Sequence, residues 1–159
     1  MVKPGTMLPD PPHPIYRLTD SPPSLTGTTH FLPLIQDSSK HIALFFVGDH
    51  TIHEPHPLLQ KFASICKPYK ANLQPAILAR SYRIGGMRKP NWSKDNDEIH
   101  FLATHTGETD IPYGLNGKKE MGILIIRPDG YVAYSHPVDL NGNTLDSMDS
   151  WLAKQLVKS

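Results

Sequence analysis

Apolar and polar positions along the chain fall into two long uninterrupted apolar runs and two amphipathic stretches. His41 to Val47 (HIALFFV) and Gly122 to Ile126 (GILII) contain too little polar alternation for a half-exposed strand, so both read as strands buried on two faces. After the second run, Pro128, Asp129 and Gly130 supply a fixed φ, a side chain that bonds its own backbone and a residue free to take positive φ. Strand composition then resumes at Tyr131 to Tyr134, which predicts a tight β-hairpin. From Pro57, the residues Leu58, Leu59, Phe62, Ile65 and Cys66 recur at spacings of three and four, the stripe of an amphipathic helix that Pro68 closes. A second helix is predicted in the tail, with Leu145, Met148, Trp151, Leu152 and Leu156 as its apolar face. Asn141 to Asn143 offers a turn and cap there, and Asp146 and Asp149 are expected in the first turn, where the helix dipole favours negative charge.

Between these landmarks, Pro75 to Ile84 supplies a strand expected to run parallel to the first, and Ile99 to Thr104 another. Gly85 to Asp97 and Gly107 to Glu120 read as loops. Residues 1 to 24 hold seven prolines, which excludes a regular helix and predicts an extended arm packed on a single domain of residues 25 to 159. Within that arm Ile15 to Leu18 is a candidate short strand. Leu25 to Gln36 is read as a strand or irregular edge segment interrupted by Pro33.

The apolar strand running into Arg127-Pro128-Asp129-Gly130-Tyr131-Val132, preceded by Tyr113-Gly114, resembles the C-terminal domain of phenol hydroxylase-type flavin-dependent aromatic monooxygenases. Lys3 to Pro9 is similar to the linker that leads into that domain. The resemblance implies an α/β thioredoxin-like fold, a central mixed β-sheet flanked by helices, and a role in dimerisation. The predicted order β, α, β, β, hairpin, α agrees with such a sheet. The flavin chemistry of the family does not transfer, because no GxGxxG motif follows a strand. Met1 and a complete domain favour a stand-alone protein over a fragment.

Composition narrows the options. With 159 residues, 38% of them apolar, one domain with its own core is expected. Sixteen basic and fifteen acidic side chains give a net charge of +1, no electrostatic case for nucleic acid or an anionic membrane. No apolar run approaches the roughly 18 to 20 residues of a membrane span, and no signal peptide is visible, so a cytoplasmic protein is expected. Cys66 is the sole cysteine, which excludes a CxxC motif; on the apolar stripe of its helix it reads as a small apolar residue rather than a nucleophile.

Candidate chemistry concentrates in one loop. His50, His53 and His56 fall between the first strand and the first helix, the loop that carries the reactive cysteines of thioredoxin-like proteins. Imidazole there suits general acid/base catalysis, with Asp49 or Glu54 orienting the ring; the same residues also suit an ordinary solvent-facing loop. A metal site is disfavoured, because Pro55 and Pro57 prevent the three histidines from sharing a helical face. Asp49, Tyr82, Arg83, His105, Tyr113 and Arg127 are the candidate substrate-binding residues, with Ile111-Pro112 placed where thioredoxin-like proteins carry a proline beside the active loop. His100 and His105 bracket a strand and are candidates to face the same end of the sheet, although residues so placed are more often structural histidines.

Two functions follow as expectations. The first is a cofactor-independent isomerase, cyclase or lyase acting on a small aromatic or polyketide-like ligand in secondary metabolism. The second is a non-catalytic dimerisation or accessory module, forming a homodimer or docking on a separate flavin monooxygenase.

Overall fold

The computed structural model describes residues 1–10, 14–19, 39–48, 52, 56–81, 87–92, 99–105 and 120–158; for Ser81 and His105 it describes the backbone alone. Six strands form one mixed sheet, β1 (Ile15–Arg17), β2 (His41–Phe46), β3 (Leu73–Ser81), β4 (His100–His105), β5 (Met121–Ile126) and β6 (Val132–Val138), in the order β1-β4-β3-β2-β5-β6. Helix α1 (Pro57–Cys66) continues into a 3-10 turn (Lys67–Tyr69), and α2 (Asn143–Gln155) follows the hairpin. β2, β3 and β4 are parallel neighbours, while β5 and β6 run antiparallel to complete the other side.

The apolar runs are central because both of their faces are covered. Ala43 and Phe45 of β2, Ile77 of β3, Phe101 of β4 and Ile123 and Ile125 of β5 point to the face on which Leu59, Phe62, Leu145, Met148 and Leu152 of the two helices pack. Ile42, Leu44, Phe46, Leu78, Leu102, Leu124 and Ile126 form a second buried cluster on the opposite face, joined by Met1, Val2 and Leu8. Two covered faces leave no position for polar alternation.

The hairpin forms as its composition predicts. Gly130 takes φ 88°, the left-handed conformation that side chains disfavour, and the Arg127 amide donates to the Tyr131 carbonyl at 2.8 Å. Met7 bridges Tyr131, so the first residues of the chain lie along the start of β6. At the other edge β1 pairs antiparallel with β4, and buried Thr104 donates its hydroxyl to the Pro14 carbonyl at 3.0 Å.

α2 starts within the turn expected at Asn141 to Asn143. Gly142, at φ 79°, is the N-cap residue and offers no side chain. The Asn141 side-chain oxygen accepts from the Asn143 amide at 3.1 Å instead, and Asp139 accepts from the Thr144 amide at 3.4 Å. Asp146 sits in the first turn, but Asp149 lies one turn further on, because the helix begins at Asn143. The predicted segment at 25–36 lies outside the described residues, as does the 107–119 loop.

Candidate functional site

The junction between β2 and α1 is built from the C-terminal end of the parallel strands, where ligands bind in open α/β sheets. β2 ends at Phe46, and the Val47 amide donates to the Leu78 carbonyl at 3.0 Å, carrying the pairing one residue further. Gly48 then turns the chain with φ 60°, and its carbonyl accepts from the Arg80 amide at 3.2 Å. Ile52 is buried against the helix-side core. Its carbonyl accepts from the Trp92 indole at 2.7 Å, and the Trp92 ring meets Phe101 edge-on at a centroid distance of 5.5 Å. A tryptophan within a Lys- and Asn-rich segment is the sequence signal for this clamp, and its partner is not legible from spacing.

His56 is the N-cap of α1. Its backbone is extended (φ −66°, ψ 134°), Pro57 occupies the first helical position, and Nδ1 accepts from the Leu58 amide at 3.1 Å. An accepting Nδ1 places the proton of the neutral ring on Nε2. One nitrogen of this imidazole is therefore committed to the helix end, where an amide would otherwise be orphaned.

The candidate residues divide by location. Asp49, His50, His53 and Glu54 lie outside the described residues, as do Tyr82, Arg83, Tyr113 and the Ile111-Pro112 peptide. The His105 backbone pairs with Ser81 one step beyond the Arg80–Thr104 pair, which places it at the same end of the sheet as Gly48. His100 begins β4 and does not share that end. Arg127 is placed apart from the junction: it follows Ile126, which pairs with Ile42 at the far end of β2. A six-residue strand is about 20 Å long, so Arg127 cannot share a small ligand with Gly48 or His56. Its guanidinium instead pairs with Asp129 and lies over the Tyr131 ring at 5.9 Å, an arrangement within the hairpin.

Cys66 is at the other end of α1 from His56 and is 2% exposed. Burial pushes its thiol pKa far up, and the nearby Asp149 carboxylate adds to the effect. Among the described residues no group of three His, Cys, Asp or Glu side chains is arranged to hold a metal ion.

No protein-family model and no curated protein sequence matches the chain. Its fold is nonetheless shared by solved structures. An uncharacterized thioredoxin-like protein from Porphyromonas gingivalis superposes with a TM-score of 0.58 at 13% identity, covering 91% of this chain and 92% of that one. Peroxiredoxin Q of Xanthomonas campestris gives a TM-score of 0.56 at 14% identity over 94% of this chain and 97% of its own. A cysteine-to-serine mutant of Xylella fastidiosa PrxQ gives 0.57 at 13% identity, over 97% and 98%.

The fold is thioredoxin-like, as the pattern of elements implies. The expected function is corrected: the similar structures are peroxiredoxins and thioredoxin-like proteins, and they overturn the reading as a cofactor-free isomerase or cyclase. That reading weights the histidine loop over the scaffold that carries it. Among the described residues no helix is long and apolar enough to cross a membrane.

Proposed function

We propose that this protein serves a thiol-redox system by binding rather than by thiol exchange, using the β2–α1 junction as a recognition surface for a thioredoxin-class partner. The observation that carries this reading is the position of the sole cysteine. A thiol reacts as its thiolate, and it must reach its substrate. Cys66 is buried in the helix-side core with its pKa raised, whereas the junction where thioredoxin-like proteins carry reactive cysteines ends here in a histidine that caps the helix. On this reading the junction keeps the place of partner contact and lacks the nucleophile.

The test has two arms. Peroxide consumption with dithiothreitol as reductant should stay at background for the protein and for Cys66→Ser alike. Thioredoxin should bind saturably in calorimetry, with affinity lost when His50, His53 and His56 are all replaced by alanine. Turnover that depends on Cys66, or no thioredoxin binding, overturns the reading. We further infer common descent with the phenol hydroxylase C-terminal domain, supported by the hairpin at Arg127 to Val132, where Gly130 takes the positive φ that the motif requires.

A further inference from the structure

We propose that the cleft between Arg17, Lys89 and His100, at the β1 edge of the sheet, binds a phosphate group, either free inorganic phosphate or the head of a small phosphate monoester. Three separate segments build the cleft. β1 pairs antiparallel with β4, with Arg17 opposite Leu102, so His100, two residues along β4, lies diagonally across on the same face of the sheet. The pairing continues past β1 through the Leu18 amide, which donates to the Phe101 carbonyl at 2.8 Å. The segment from Met87 to Pro90 is fastened beside it by the Lys89 amide, which donates to the Thr19 carbonyl at 2.7 Å. Between them lies a cavity of about 230 Å³ lined by Arg17, Thr19, Lys89 and His100 over the backbone of Leu18 to Phe101.

Among the described residues, the titratable side chains that line the cleft are all basic. A guanidinium, an ammonium and an imidazole converge from β1, from the Met87 segment and from β4. Such a set offers a planar fork of donors, a point charge and a ring N–H, which suits a doubly charged tetrahedral oxyanion approached from several sides better than a flat, singly charged carboxylate. The electrostatics agree. His100 is lowered to about 4, first by burial and then by the positive charges of Arg17 and Lys89. Those two are the charged groups that face it among the described residues. A bound dianion offsets both charges, so binding and protonation of His100 favour each other by linkage.

The inference is independent of the thiol-redox reading, since it uses neither the junction nor Cys66. It is tested by following the His100 imidazole signals in two-dimensional NMR, assigned with His100→Gln. Inorganic phosphate and phenyl phosphate are titrated separately at constant ionic strength, with sodium chloride and acetate as controls. Saturable shifts with phosphate, a His100 pKa raised by at least one unit in its presence, and at least tenfold weaker binding in Arg17→Gln and in Lys89→Gln are expected. Tighter binding of phenyl phosphate assigns a monoester, and equal binding assigns the free ion. No saturable shift at millimolar phosphate, the same shift with chloride or acetate, or unaltered binding in both variants that retain the native melting temperature overturns the proposal.

Discussion

The Trp92 indole donates to the Ile52 carbonyl at 2.7 Å, tying the segment after β3 to the junction after β2. The same ring packs edge-on against Phe101, so one side chain touches both the junction and β4. Replacing Trp92 with phenylalanine keeps the apolar contact but leaves the Ile52 carbonyl without this donor. A loss of about 1–3 kcal/mol is expected. Urea unfolding of Trp92→Phe measures it, with the remaining Trp151 as the fluorescent reporter.

His56 acts at the N-terminus of α1 through Nδ1. His56→Ala should cost about 1 kcal/mol, whereas His56→Asn, which supplies a side-chain oxygen in the same place, should recover most of that loss. Comparable losses in both variants, read from thermal unfolding, would show that the cap contributes nothing.

Gly142 enters α2 at φ 79° beneath the Lys61 side chain, with the ideal Cβ position only 3.2 Å from Lys61 Nζ. Gly142→Ala combines left-handed strain with displacement of the lysine that bonds the Gly142 carbonyl at 3.3 Å and pairs with Asp146 at 2.8 Å. The lysine end can move, so the backbone term dominates, at about 1–2 kcal/mol of destabilisation. The exposed Lys61–Asp146 pair itself contributes less than that, and Asp146→Asn should shift the unfolding midpoint only slightly.

The pH dependence of stability follows from His100. Its pKa falls from 6.5 to about 4 on folding, so between those values the unfolded chain binds more protons than the folded one. Stability therefore rises with pH across this window, is fully present above about pH 6.5 and is lost progressively as pH falls towards 4. His41, lowered by burial and by Arg127, acts in the same direction. His100→Gln should flatten part of the slope of melting temperature against pH between 4 and 6.5, and an unchanged slope would contradict this assignment.

Much of the fold is legible in the chain because its strongest signals are local. HIALFFV and GILII announce two doubly covered strands, and Pro57 with the stripe to Cys66 announces α1. Finer features depend on meetings across the sheet. The start of α2 is legible at Asn141 to Asn143, but not the division of labour in which a glycine holds the cap position while Asn141 and Asp139 supply the bonds from outside the helix. Arg127 reads in the sequence as an anion-binding residue or, in preference, as a lock of its own hairpin, and the pairing of Ile126 with Ile42 places it at the other end of the sheet from the junction. Arg17, Lys89 and His100 share no motif, and only the antiparallel β1–β4 pairing and the Thr19–Lys89 bond bring them together. Three histidines in a loop are conspicuous in a sequence, whereas the likeness of the fold to solved structures lies in its topology.

The central claim, that this scaffold works without a reactive thiol, is tested most directly by the reactivity of Cys66. The native protein is exposed to a modest excess of hydrogen peroxide, and the mass of the Cys66 peptide is followed over time, beside a sample unfolded in guanidinium. An unmodified thiol is predicted in the native protein and oxidation only in the unfolded one. Rapid conversion of native Cys66 to sulfenic or higher acids would contradict the claim.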